Sequence, residues 1–96
     1  MTKIEYVGKV VLKTVDEVKS DANTKVVEHN AGITLVHATG FDFIYPYEQR
    51  LLGTEVDVYR DGYGMYDFIP HGEEYHANRI DAIYAVSDYG WLVKED

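Results

Sequence analysis

The stretch EVDVYRDGYGMYDF, residues 55–68, decides the fold, because two alternating segments flank a glycine-containing turn. A two-residue Asp-Gly turn would put the apolar residues of the two segments on different faces. A loop of three residues (61–63) or of five (60–64) brings them onto one face, and a single buried face fixes the register of a strand. The pattern therefore predicts a hairpin with the longer loop and two facing apolar pairs: Val58 with Tyr66, and Val56 with Phe68.

The opposite face of this hairpin carries acids and a tyrosine. Asp57 and Asp67 become direct cross-strand neighbours, and like charges in that position are destabilising unless the paired charge is used. We therefore expect Glu55, Tyr59 and both aspartates to be exposed together as a surface that binds a partner. The residues predicted for this surface are Glu55, Asp57, Tyr59, Asp61, Asp67, Glu73 and Glu74.

The rest of the chain reads mostly as short strands separated by turns. Thr14 and Glu17 have the spacing of a capping box, which predicts a short helix over 15–22 in competition with a polar loop. The predicted strands are 4–12, 25–29, 33–38, 41–45, a segment from 80 to 86 after a tight turn near Asn78, and a closing strand over 91–93. Asn30-Ala31-Gly32 is predicted as a three-residue hairpin loop, 47–53 as a connector with one helical turn ended by Gly53, and 88–90 as a turn.

Alternating segments also indicate which residues are buried, because one face of each strand turns inward. The predicted core comprises Val10, Leu12, Ile33, Leu35, Phe43, Val56, Val58, Phe68, Ile80, Ile83 and Trp91.

These elements predict a mainly β fold of five to seven short strands with at most one short helix, in a single compact domain over 1–96. The stretch LGTEVDVYRDGYGMYDFIPHGEEYHANRIDAI, residues 52–83, resembles the later half of SH3-like barrels in its G-x-x-V-x-V strand, partner strand and short turn before a last strand. The resemblance covers about a third of the chain. It implies a small SH3-like barrel and no particular activity, and the alternative is a strongly bent antiparallel sheet.

Charge is the strongest signal in the composition. Seventeen acids and nine bases give a net charge of −8. Residues 1–25 hold five lysines and four acids, whereas residues 26–96 hold four bases and thirteen acids, so the negative charge is concentrated in the later part. This distribution argues against direct nucleic-acid binding, which needs clustered Lys and Arg.

The chain has no cysteine, which excludes disulfides and thiolate metal sites and is typical of a reducing compartment. No stretch approaches the roughly 18 apolar residues of a membrane span, and residues 1–17 lack the pattern of a signal peptide. We expect a cytoplasmic protein, located in the host cytoplasm if it is viral, and no membrane partner.

The sequence offers little for catalysis, and we expect no enzyme activity, no cofactor and no metal. His71 and His76 flank two glutamates, and their spacing differs from the i, i+4 pair of metalloproteases. A site on a strand and turn could still bind zinc or nickel, and the alternative is a solvated polar turn. An acid–base site could be built from these histidines with Glu73 and Arg79, yet a charge of −8 would repel a polyanionic substrate. The two serines, Ser20 and Ser87, lie in polar turns without a nucleophile motif.

The leading hypothesis is a non-catalytic inhibitor whose acidic, tyrosine-bearing surface blocks a basic, nucleic-acid-handling surface of a larger protein. In size and charge the chain is similar to small viral inhibitors of restriction, CRISPR or repair enzymes that mimic DNA. The alternative is an SH3-like accessory or scaffold module that binds a peptide or a subunit through aromatic residues. Salt separates the two, because mimicry of a polyanion weakens steeply as salt rises and an aromatic groove does not.

Overall fold

The chain forms two antiparallel sheets, seen in a computed structural model that describes residues 3–38, 40–76, 79–86 and 89–94. The mainly β class is confirmed, and the described residues contain seven short strands and one α-helix of five residues. The elements are β1 (Glu5–Val11), α1 (Val15–Lys19), β2 (Lys25–His29), β3 (Gly32–His37), β4 (Gly40–Ile44), β5 (Glu55–Arg60), β6 (Tyr66–Pro70) and β7 (Ile83–Val86), with 3-10 turns at Gln49–Leu51 and Gly90–Leu92. In the part of the chain that is described, no helix is long and apolar enough to cross a membrane.

The large sheet has the strand order β1-β5-β6-β7, and the small sheet has the order β2-β3-β4. Among the described residues the strands do not close into a barrel, so the predicted barrel form is not observed. The resemblance to SH3-like domains stays a prediction. The two sheets are separate, and each turns one face toward a shared core. Their other faces carry the candidate sites.

Both sheets contribute to one hydrophobic core. Predicted core residues that are buried are Leu12, Ile33, Leu35, Val56, Val58, Phe68 and Ile83, while Val10 and Trp91 are partly buried against them. Ile80 was wrongly predicted, because it lies in a bend and is 75% exposed. Phe43 lies on the outer face of the small sheet and is only partly buried. Buried residues that the sequence pattern did not identify are Val18, Ile44, Leu51, Leu52, Ile69, Ala82 and Leu92.

The central hairpin has the predicted faces but a different register. Val58 pairs with Phe68 rather than with Tyr66, so the pairing is displaced by two residues and the alternation of faces is preserved. The loop spans 61–65 because Asp61 organises it. The Asp61 carboxylate accepts hydrogen bonds from the amides of Tyr63 at 2.8 Å and Met65 at 3.0 Å. Asp57 and Asp67 are therefore not opposite each other, and the predicted like-charge pair does not form.

The start of α1 and the β2–β3 loop can be compared with their predictions. The capping box is confirmed, since Thr14 accepts from the Glu17 amide and the Glu17 carboxylate accepts from the Thr14 amide, although the helix ends earlier than predicted. The β2–β3 loop has two residues rather than three, because Gly32 already pairs with His29.

The closing strand predicted over 91–93 is wrong. A 3-10 turn stands there, and only Val93 makes a bridge, to Leu12. The turn predicted near Asn78 and the Asp88 position of the 88–90 turn lie outside the described residues.

Candidate functional site

The predicted acidic surface is not assembled as expected, because its two central carboxylates are buried. Asp57 is 6% exposed and Asp67 is 5% exposed. They lie on the outer face of the large sheet, as predicted, but other parts of the chain cover that face. The expectation that they are exposed together with Glu55 and Tyr59 is wrong.

Asp57 is held by donors that come from outside its hairpin. Its two carboxylate oxygens accept from His71 Nδ1 at 2.8 Å, from the Gly72 amide at 3.0 Å and from the Tyr6 hydroxyl at 3.3 Å. Burial alone would raise the pKa of Asp57, but the hydrogen bonds from Gly72 and His71 outweigh it and hold the pKa below its ordinary value. Asp57 therefore fixes the turn after β6 to the sheet.

Asp67 is covered by tyrosines. The Tyr75 hydroxyl donates to Asp67 at 2.6 Å, and the Tyr75 ring lies 4.8 Å from that of Tyr59. Tyr59 in turn contacts Tyr6 of β1 edge to face at 5.4 Å. Burial and the neighbouring Asp67 carboxylate raise the pKa of Tyr75 well above its ordinary value, so this hydroxyl stays protonated and remains a donor.

The remaining predicted acids are not buried with Asp57 and Asp67. Glu55 and Glu74 are exposed, and Asp61 is half-buried in its loop. Glu73 is exposed and accepts from the Arg79 guanidinium at 2.8 Å. Arg79 also donates to Asp81 through two nitrogens. It therefore links Glu73 to Asp81 within the segment that follows β6.

A cleft of about 770 Å³ lies beside the buried Asp57. Its lining residues are Arg50, Leu51, Thr54, Glu55, Pro70, His71, Ile80 and Asp81. His71 is oriented by Asp57 and has its Nε2 atom 3.6 Å from Glu55 Oε1. Asp57 thus orients the His71 imidazole in the way that a carboxylate orients a general base. The hydroxyl in the cleft that such a base would activate belongs to Thr54, and it already donates to the Leu51 carbonyl at 2.7 Å.

Metal binding gains no support from the described residues, in which no three His, Cys, Asp or Glu side chains are grouped to hold an ion. His29 bonds to Thr34, and His37 bonds to Asp42 at 2.9 Å and stacks on Trp91. Each of these contacts is a structural one within the small sheet or between it and the last turn.

The small sheet presents an exposed apolar surface that the sequence pattern did not identify. In β3, Ile33 and Leu35 turn inward, so Thr34 and Val36 turn outward. The residues of β2 and β4 that pair with Thr34 and Val36 turn outward with them. We call the resulting surface the aromatic face, and define it as Val27, His29, Val36, Phe41, Phe43, Tyr45 and Tyr47. Phe41 is 71% exposed, and Tyr45 and Tyr47 are each about half exposed.

Four of the five rings of the aromatic face form a continuous row. The Phe43 ring lies 5.2 Å from that of His29 and 4.7 Å from that of Tyr45, which stacks on Tyr47 at 5.5 Å with an interplanar angle of 7°. Glu48 anchors this end of the row by accepting from the Tyr45 amide at 2.8 Å. Burial raises the pKa of Glu48, and that hydrogen bond only partly offsets the effect. The rings therefore hold one another in place, while Tyr45 and Tyr47 remain about half exposed to solvent.

Charge is segregated from this face. In β2, β3 and β4, all of which are described, the acids Glu28 and Asp42 alternate onto the other side. Glu28 pairs with Lys19 of α1 at 2.6 Å, and Asp42 pairs with His37. Lys25, at the end of β2, is the one charged residue that these strands place on the aromatic face.

The inward position of Asp42 explains why the face was missed. A phenylalanine-rich alternation is ordinarily assigned to the core, whereas here Phe41 and Phe43 point outward. The available signal was the tight β3–β4 connection, in which His37 pairs with Gly40 and Ile33 with Ile44. Once Ile33 and Leu35 are buried, that register requires Ile44 and Asp42 to turn inward.

In comparisons with known proteins, the chain matches no family model, no curated protein and no solved structure.

Proposed function

We propose that this protein is a non-catalytic binding module that attaches to another protein through the aromatic face. The observation that supports the proposal is the row of rings from Phe43 to Tyr47, which shares the outer side of the small sheet with the exposed side chains of Phe41 and two valines. Aromatic residues are enriched at protein interfaces, where they provide a large contact area at a low entropic cost. Among the sequence-based hypotheses, binding through aromatic residues gains the most from this geometry.

The size of the face supports a binding role. An aromatic side chain presents about 150–250 Å². The exposed fractions of Phe41, Tyr45 and Tyr47, which are 71%, 48% and 50%, then correspond to roughly 250–420 Å². Exposed apolar patches of about 300–600 Å² are often functional in monomeric proteins.

The same area sets a limit on affinity. At about 25 cal/mol per Å², burying the three rings contributes roughly 6–10 kcal/mol. Association itself costs about 4–15 kcal/mol, so the rings alone give weak binding at best. The partner must therefore add contacts around the rings, and the rings act as the apolar centre of a larger interface.

The structure supports the acidic-surface hypothesis less well than the sequence does. Its central residues Asp57 and Asp67 are buried and engaged, which leaves Glu55, Asp61, Glu73 and Glu74 as its accessible members. Inhibition of a nucleic-acid-handling enzyme, and any viral role as a DNA mimic, stay predictions. The net charge of −8 is the feature that still favours a basic partner.

The proposal is tested by site-specific photo-crosslinking in the cells that naturally produce the protein. A photoreactive phenylalanine replaces Phe41 in one variant and Tyr63 in a matched control. Tyr63 is also highly exposed, at 82%, but it lies in the loop of the large sheet. We expect a discrete protein to crosslink from position 41 and not from position 63.

The crosslinked protein is then purified, and its affinity for this chain is measured. Phe41→Ser should raise the Kd about tenfold or more, since exposed rings at the centre of an interface are the usual hot spots. Tyr63→Ser should leave the Kd unchanged. Equal crosslinking from both positions, or a Kd that Phe41→Ser does not change, contradicts the proposal.

A further inference from the structure

We infer that β4 receives an extended segment of a different protein as an added β-strand, at the edge of the small sheet beside Phe41 and Phe43. The inference rests on the proposed function and specifies how the partner binds. Two features of β4 support this mode of binding: the unpaired backbone groups of its outer edge, and the position of its one acid, Asp42. An added strand would also supply the contacts that the exposed rings alone do not provide.

The backbone of β4 is paired on one side only. Its neighbour is β3, and among the described residues no strand pairs with its other side. Alternate residues of an antiparallel strand direct their amide and carbonyl toward opposite sides. Tyr45 shows which residues point outward, because its amide donates to Glu48 Oε1 and its carbonyl accepts from the Glu48 amide at 2.9 Å. Phe41 and Phe43 alternate with Tyr45, so their amides and carbonyls face the open edge.

The edges of β1 and β2 are better protected than that of β4. Sheet edges are ordinarily blocked by charged residues, prolines, bulges or covering segments. On β2 the exposed Glu28 forms an ion pair with Lys19 of α1. The strand β1 contains a bulge, and the Lys94 amide donates to the Val11 carbonyl at its end. In contrast, β4 has no lysine, proline or bulge, and an edge of this kind is where an extended peptide adds to a sheet.

The two faces of β4 specify the side chains of the added strand. Side chains on one face of neighbouring strands lie about 4.5–5.5 Å apart. Alternate residues of the partner segment would therefore contact the rings of Phe41 and Phe43 and should be apolar. The residues between them would turn toward Asp42 on the other side, where an acid would be repelled. The geometry thus selects a segment with apolar residues at every second position and no acid opposite Asp42.

Asp42 argues against a second copy of this chain as the added strand. Two antiparallel β4 strands would satisfy all of the open groups only in the register that pairs Phe41 of one copy with Phe43 of the other. That register places Asp42 directly opposite Asp42 of the second copy, and like charges in that position are destabilising. The Asp42 side chain is 12% exposed and lies 2.9 Å from His37 Nε2, so it is held in place. Inward charges on an edge strand protect it against pairing with an identical strand.

Amide hydrogen exchange followed by NMR tests the inference on the unmodified protein. In the free protein, the amides of Phe41 and Phe43 should exchange faster than those of Asp42 and Ile44, which face β3. In a saturated complex with the protein that crosslinks at position 41, exchange at Phe41 and Phe43 should slow about tenfold or more. The Glu28 amide, which faces the outer edge of β2, is the control and should not change. Unchanged exchange at both phenylalanines in the complex overturns the inference.

Backbone methylation tests the same edge without removing a side chain. A chemically synthesised protein with N-methylphenylalanine at position 43 keeps the ring and loses the outward amide. Its Kd for the crosslinked protein should rise about tenfold or more. N-methylation of Glu28 is the matched control and should leave the Kd unchanged. Both variants should keep nearly the parental Tm, because both amides point away from β3. A parental Kd for the folded variant methylated at position 43 contradicts strand addition.

The remaining outcomes identify what has failed. Sedimentation velocity of the parent at about 10–100 μM should show a monomer. A dimer that N-methylation of Phe43 dissociates would identify a second copy as the added strand and would overturn the inference. If Phe41→Ser leaves the affinity for the crosslinked protein unchanged, the proposed function fails and the inference fails with it. If Phe41→Ser weakens binding while the Phe41 and Phe43 amides stay unprotected, the face binds without an added strand, and only the inference is wrong.

Discussion

Replacing Asp57 with Asn tests the buried network most directly, because the sequence and the structure predict opposite results. If Asp57 and Asp67 faced each other in solvent, removing their charge would leave stability unchanged or raise it slightly. In the structure Asp57 is buried and accepts from His71, Gly72 and Tyr6. Asp57→Asn should therefore destabilise the protein.

The magnitude follows from the hydrogen bonds. Asparagine keeps one acceptor oxygen, replaces the other with an amino group and carries no charge, so the buried side chain at position 57 loses at least one of its charge-assisted hydrogen bonds. Losing such a bond costs about 1–3 kcal/mol. For a domain of this size that loss lowers the Tm by roughly 4–24 °C.

Thermal and urea denaturation of the parent, Asp57→Asn and Glu55→Gln measure the effect. Glu55 is two residues away on the same strand and exposed, so its change should stay within about 0.5 kcal/mol. If Asp57→Asn has the same Tm and urea midpoint as the parent and Glu55→Gln, then the hydrogen bonds to Asp57 do not stabilise the protein. That result would contradict the burial of Asp57 under the turn after β6.

The pH dependence of this difference has a definite sign. The pKa of Asp57 is lowered by folding, so its stabilising contribution is fully present above the ordinary pKa of Asp, about 3.9. As the pH falls through the lower folded-state pKa, the carboxylate is protonated and the contribution is lost. The gap in unfolding free energy between the parent and Asp57→Asn should therefore be constant above about pH 5 and should shrink below about pH 4. A gap that widens on acidification contradicts this assignment.

Three further predictions concern packing and backbone geometry. Phe68→Ala should cost about 3–5 kcal/mol in urea denaturation, because Phe68 is fully buried, whereas Phe41→Ala should stay within about 0.5 kcal/mol; equal effects would invalidate the assignment of faces. Tyr75→Phe should cost about 1–3 kcal/mol, because Asp67 loses the donor at 2.6 Å, and an unchanged midpoint would show that this bond contributes nothing. Gly32→Ala should cost more than about 1 kcal/mol, because Gly32 has a φ of 141° and an added Cβ would collide with the backbone of β4; a parental Tm would argue against this close approach.

The fold class could be predicted from sequence because its signals are local. Alternation in 55–60 and 66–70 specified which residues of the central hairpin turn toward the core, although Asp57, Asp67 and Ile69 on the other face are buried as well, and the Thr14–Glu17 spacing specified the helix start. The pairing could not be predicted, because it depends on how Asp61 folds the 61–65 loop through its own side chain. Short loops of similar composition permit several registers that bury the same residues.

The candidate site was harder to predict, because burial of a polar side chain depends on distant partners. Nothing near Asp57 in the sequence indicates that Tyr6, fifty-one positions away, donates to it. The general expectation that acids face solvent therefore misplaced two residues. The aromatic face could in principle have been predicted, since the register of β3 with β4 turns Phe41 and Phe43 outward. That prediction requires both strands to be considered together.

The order of strands also determines the order in which the chain can fold. The small sheet is a meander of consecutive strands, so it needs only short loop closures, whereas pairing of β1 with β5 must close a loop that contains the whole meander. During synthesis the small sheet can therefore pair its strands, with the rings of the aromatic face exposed, while β1 waits until residue 60 has been made. Docking of β1 is then the late step, and destabilising substitutions in β1 should accelerate unfolding more than they slow folding.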